Sequence, residues 1–140
     1  MMFKILNAEP GEFAWVCPCS VTSRKTHKFT LPKKFANGIG LRRGLILNCY
    51  YERTEDKRPV VRIYLDGEER GFRKGLKAIW WWVSVEVDRG IFKLRLDRDI
   101  AKQTGLKQSQ PLYCYQIEER GRGVLEIFLD KKPRQVGDVS

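Results

Sequence analysis

KFTLPKKFANGIGLRRG, residues 28–44, is the stretch on which the fold turns. Lys28 to Leu31 alternates polar and apolar side chains as a half-buried strand does. Pro32 is placed for a helix start, because the first helical turn has no use for the N–H that proline lacks. Lys33 to Asn37 is long enough for one or two turns. Phe35 and Ile39 share one face of it, Lys33 and Lys34 meet water, and Gly38 and Gly40 mark the stop. Beyond Gly44, Leu45 to Tyr51 reads as a strand, the charged run Glu52 to Arg58 as a turn, and Val60 to Leu65 as a second strand in alternation.

Working outward, the chain repeats this pattern. Displaced by 65 residues, Trp15 falls on Trp80, Arg24 on Arg89, Lys28 on Lys93, Leu31 on Leu96, Gly40-Leu41 on Gly105-Leu106 and Cys49-Tyr50 on Cys114-Tyr115. One deletion later, Ile63, Leu65 and Asp66 fall on Ile127, Leu129 and Asp130. Phe13 to Val16 starts a strand running towards Val21, with a polar turn at Arg24 to His27. In the second copy Ala78 to Val87 is a strand, Asp88-Arg89-Gly90 a turn and Ile91 to Leu96 a strand. Asp97 stands where Pro32 stood and is suited to capping a helix that ends at Gly105. Leu112 to Glu118 and Val124 to Leu129 complete the unit around the loop Glu119 to Gly123. Each unit reads β-β-α-β-β, and such repeats bury their apolar faces against one another. The expected organisation is a single compact domain, 1–130, made of repeats 13–65 and 78–130 joined by a linker, 66–77, with a flexible tail, 131–140.

Lys28-Phe29-Thr30-Leu31-Pro32, followed by a short helix and Gly40-Leu41-Arg42-Arg43-Gly44, resembles the swapped-hairpin domain of the AbrB, MazE and SpoVT proteins. The second copy departs from that pattern, with Leu96-Asp97 for the aliphatic-proline pair and Ser109 for the last glycine. The resemblance implies a mostly β fold with two short helices, a pseudo-two-fold swapped-hairpin β-barrel built here within one chain. Trp15, Phe29, Phe35 and Leu47 would then pack against Trp80, Leu94, Ile100 and Leu112. It also implies binding of double-stranded DNA through the hairpins, at Arg24, Lys25 and Lys28 in the first unit and Arg89 and Lys93 in the second. Lys25 becomes Gly90 in the copy, which favours a lopsided or loosely read site over a perfect palindrome.

Composition agrees with an anionic partner. The formal charge is +10, and the excess lies within both units: ten Lys/Arg against three Asp/Glu from Arg24 to Arg58, and eight against four from Arg89 to Arg122. Such a balance attracts phosphate-bearing partners or an acidic protein. Arginines pair with phosphates or guanine edges, so Arg42, Arg43, Arg98, Arg120 and Arg122 join the candidates. The bland reading of any one of them is a solvated surface charge. Trp80-Trp81-Trp82 alternates in direction on a strand. Trp80, matched to Trp15, is assigned to the core, and Trp81 or Trp82 to a possible protein interface. The alternative function is therefore a small basic inhibitor or adaptor of a nucleic-acid enzyme such as RNA polymerase.

Catalytic and metal chemistry find little support. Cys17 and Cys19 are one close pair, whereas a zinc site wants four ligands, and His27 is the one histidine. Gly38-Ile39-Gly40 lacks the Lys-Ser/Thr of a phosphate loop. No metal, cofactor or enzymatic role is expected. The start carries no signal-peptide pattern, and no apolar run approaches the roughly 20 residues that cross a bilayer, so a cytoplasmic protein with reduced thiols is expected, as a monomer or homodimer.

Overall fold

The computed structural model describes residues 4–6, 13–69 and 78–133. Among these residues eleven strands and two short helices follow in the order β1 (Lys4–Leu6), β2 (Phe13–Pro18), β3 (Ser20–Val21), β4 (His27–Leu31), α1 (Lys33–Gly38), β5 (Ile46–Arg53), β6 (Pro59–Tyr64), β7 (Ile79–Ser84), β8 (Glu86–Asp88), β9 (Ile91–Arg95), α2 (Arg98–Thr104), β10 (Pro111–Glu119) and β11 (Arg122–Phe128). They form a seven-stranded antiparallel sheet, β1-β2-β10-β11-β6-β5-β7, and a four-stranded one, β3-β4-β9-β8. The expected closed barrel is thus corrected to two open sheets. The first strand of each half breaks at Cys19 or Val85 and passes from one sheet to the other, and among the described residues the edge strands of neither sheet pair with each other. One apolar cluster joins the inward residues of both sheets to Phe35 and Ala36 of α1 and Ile100 and Ala101 of α2. No helix among the described residues is long and apolar enough to cross a membrane.

With β1 set aside, the large sheet reads alike from both ends, and its pairing has a centre. Phe29 faces Leu94 in the small sheet and Arg62 faces Glu126 in the large one. At the second point Arg62 donates to Glu126 (3.0 Å) and to Glu52 (2.9 Å), two carboxylates otherwise sealed from water. Beyond Arg62, two clamps cross in opposite directions. Arg58 grips Asp130, lies 4.2 Å over the Phe128 ring and donates to the Lys132 and Pro133 carbonyls. Arg122 grips Asp66, lies 4.3 Å over the Tyr64 ring and donates to the Glu68 and Glu69 carbonyls. These contacts tie down the first residues of both the expected linker and the expected tail. The rest of each, 70–77 and 134–140, lies outside the described residues.

The leading strands are one residue out of the expected step. Trp15 faces Cys114, and the residue facing Cys49 is Trp81, not Trp80. Trp15 is wholly buried against Phe35, Trp81 packs partly against the same core, and Trp80 points out, 41% exposed. The assignment of Trp80 to the core is therefore corrected. The cause is the turn. Thr22 to Thr26 closes through Lys25 N–H to the Thr22 carbonyl, with Lys25 at φ 60°, a three-residue loop of the bulged type. The corresponding turn is Arg89-Gly90 alone, at φ 51° and 77°, a two-residue loop that suits the strand twist. Asp97 caps α2 as expected, accepting from the Asp99 and Ile100 N–H groups. Pro32 lies just outside α1 as its N-cap and supplies no side-chain bond.

Candidate nucleic-acid interface

The four-stranded sheet presents Phe29, Leu31, Phe92, Leu94 and Leu96 to the core. Alternation therefore turns Lys28, Lys93 and Arg95 to its other face. Lys28 is joined there to Glu86 at 2.8 Å, and Asp88 adds a second acid on β8. Because β4 and β9 are antiparallel, with Lys28 facing Arg95 and Leu31 facing Phe92, the turns that precede them stand at opposite ends of the sheet. A rise of about 3.3 Å per residue separates Arg24 from Arg89 by roughly 25 Å. The sheet links the two expected contact points, but with the acids Glu86 and Asp88 between them.

The two ends differ. At the first, the turn meets α2 and the loop after it around an open cleft of about 460 Å³. Arg24, Lys25, Arg98, Lys102 and Lys107 line it, and among the described residues no acidic side chain does. All five are exposed, and Ala101 and Leu106 give the cleft an apolar floor. His27 forms one wall. Its Nε2 lies 3.1 Å from the Leu106 carbonyl, so that nitrogen carries the proton in this bond. Its Nδ1 is buried with no partner among the described residues. At the other end Phe92 stands where His27 does, beside Arg89 and the loop after α1. There Arg43 is already engaged, donating to the Val87 carbonyl at 2.7 Å, while Arg42 is exposed. Gln108 holds the corresponding place at the first end, accepting from the Val21 N–H at 2.6 Å.

Of the residues expected to meet DNA, Arg24, Lys25, Arg42 and Arg89 are exposed, Lys93 is half-buried, and Lys28 and Arg43 are held by protein partners. Lys102, Lys107 and His27 were not among those expectations, and Arg98 was only one of a general pool. The 98/102 spacing, four apart on a helix, puts both side chains on one face and is a signal that the sequence does carry. Arg122 serves its clamp, which raises its pKa through the hydrogen bond to Asp66. Of the possible protein contacts, Trp82 is 61% exposed. Trp81 is mostly turned inward, with its indole N–H buried and unpartnered among the described residues.

The four thiols are free and buried. Burial pushes Cys19 up to about 11 and raises Cys49 and Cys114 as well. At neutral pH these three fill the core as small apolar groups. No family model, curated protein or solved structure matches the chain.

Proposed function

We propose that this chain is a single-chain protein of the AbrB/MazE/SpoVT swapped-hairpin type, built by internal duplication, that binds double-stranded DNA as a transcriptional regulator or antitoxin-like repressor. Each half lends its leading strand to the closing hairpin of the other, β2 to β10 and β7 to β5, and the paired clamps agree with that reading. The observation that carries the DNA proposal is the acid-free cleft of five basic side chains, drawn from two segments far apart in sequence. In this reading the cleft and the Arg89 turn sit on phosphates, with one or two arginines reading base edges, and repression follows from occupying a site that polymerase needs.

The test is a salt titration of binding to random duplex DNA. The slope of log affinity against log salt is about −0.9 per phosphate neutralised. Replacing Arg24 and Arg98 by alanine is expected to make the slope shallower by nearly two units and to weaken binding tenfold or more. Replacing Arg89 alone is expected to remove about one. Binding that is undetectable, or slopes that do not change, would sink the proposal. The exposed Trp82 favours a second reading, a basic inhibitor or adaptor docking on a nucleic-acid enzyme such as RNA polymerase. That reading gains if duplex DNA is ignored and polymerase is bound.

A further inference from the structure

The large sheet has unequal edges. On one side the outer edge of β2 is hydrogen-bonded to β1, antiparallel, with Lys4 facing Val16 and Leu6 facing Ala14. On the other side β7 pairs with β5 alone among the described residues. Its sequence, Ile79 to Ser84, is IWWWVS, with none of the lysine, proline or inward charge that usually blunts an edge strand. Ile79 (42%), Trp80 (41%) and Trp82 (61%) are exposed along it, with Ile46 (44%) beside them. Trp80, Trp82 and Ile46 share the outward side of the sheet and leave roughly 350 Å² of apolar surface in water, the size at which a patch on a monomer is often functional, while Ile79 lies on the other side with Trp81.

We infer that β7 is a self-association edge, on which a second copy of this chain pairs antiparallel across a two-fold axis through Trp81. Parity narrows that register, and the pairing of the two exposed tryptophans selects Trp81 within it. Residues facing one another across an antiparallel pair lie on the same side of the sheet, so the axis passes through a residue rather than between two. Centred on Trp81, it sets Trp80 against Trp82 of the second copy, and Trp82 against its Trp80, in two cross-strand aromatic pairs. The strand carries no charge in a chain of net +10, so it is a place where two such copies meet without opposing charges in the contact strands. Two patches with their backbone edges approach about 1,200 Å², the low end of stable interfaces. The dimer is accordingly weak and concentration-dependent, and it strengthens with salt as like charge is screened. DNA binding weakens with salt, which separates this inference from the DNA proposal.

The experiment is sedimentation equilibrium on the full chain from about 1 to 300 μM, at low and high salt. A monomer–dimer equilibrium is expected, tightening with salt. Trp82→Glu and Trp80→Lys are each expected to weaken it at least tenfold. Trp82→Ser serves as a milder variant, and circular dichroism checks that the fold is kept. Gln103→Lys, on exposed α2, leaves it unchanged. Mixing Trp82→Glu with Trp80→Lys restores association as a heterodimer, because one Glu–Lys pair and one Trp–Trp pair then face each other. A wild-type chain that stays monomeric at 300 μM overturns the inference. So does a dimer indifferent to both tryptophan changes, or a mixture that fails to associate.

Discussion

The strands β2 and β7 hold corresponding places in the large sheet, one at Trp15 and the other at Trp81, yet their outward faces have opposite character. β2 carries Ala14, buried against Tyr115 and Phe128, and half-buried Val16, and its outer edge is paired with β1, whereas β7 carries the exposed Trp80 and Trp82. The inward faces agree in kind: Trp15, Cys17 and Cys19 on one side, Trp81, Val83 and Val85 on the other. Core packing tolerates little variation in volume, while an outward face is free to change. The two strands therefore resemble each other inside and differ outside. The same holds at the ends of the small sheet, where His27 and an acid-free basic cleft stand opposite Phe92 and the engaged Arg43.

The strongest way to break this correspondence is to truncate its two inward tryptophans. Trp15→Ala empties a fully buried site against Phe35, and is expected to cost about 3–5 kcal/mol of unfolding free energy. Trp81→Ala, at a half-exposed edge, is expected to cost no more than roughly half that. Urea unfolding of the two variants measures the gap, and equal losses would mean that the edge strand is as deeply packed as β2.

The clamps are the next test. Arg58 and Asp130 are more sheltered than Arg122 and Asp66. Arg58→Ala is expected to cost about 1–2 kcal/mol, and Arg122→Ala less than about 1 after allowing for solvent screening. Hydrogen bonds from the arginines hold both aspartates below the usual carboxylate range. A folded-state pKa below the unfolded value gives stability that is present above about pH 4 and is lost as pH falls through the lower folded value. Each arginine variant should therefore show a shallower acid-induced loss than the parent, and identical pH profiles would count against the clamps.

The smallest contrast concerns the helix starts. Asp97→Ala removes a side chain that accepts two backbone N–H bonds, and is expected to cost about 1 kcal/mol. Pro32 makes no such bond, so Pro32→Ala is expected to cost less. Thermal melts of the two variants would reverse the order if the cap were idle.

Much of this architecture was legible in the residues themselves. The alternation of Lys28 to Leu31, the glycines after each helix and Asp97 at a helix start are local signals read by local physics. Like strand and helix types do stand at the matched positions, with the first segment one residue out of step. There a run of three tryptophans offers a match at either of two steps, and Trp80 took the place that belongs to Trp81. The valines at 83, 85 and 87 carry the true phase, since with Trp81 they form one face at a period of two. The cleft was harder to see, because Arg24 and Lys25 lie more than seventy residues from Arg98 and Lys102.

The sequence by itself determined most of the strands, the two helices and the positive charge, because each depends on side chains a few residues apart or on their number, but it showed neither β1 nor the break at Val85. Only the tertiary structure decided that the sheets stay open, which tryptophan is buried, which arginines are already occupied and where five cations meet without an acid. Those outcomes depend on strand register and sheet order. A single residue more or less in a turn moves every following side chain to the other face.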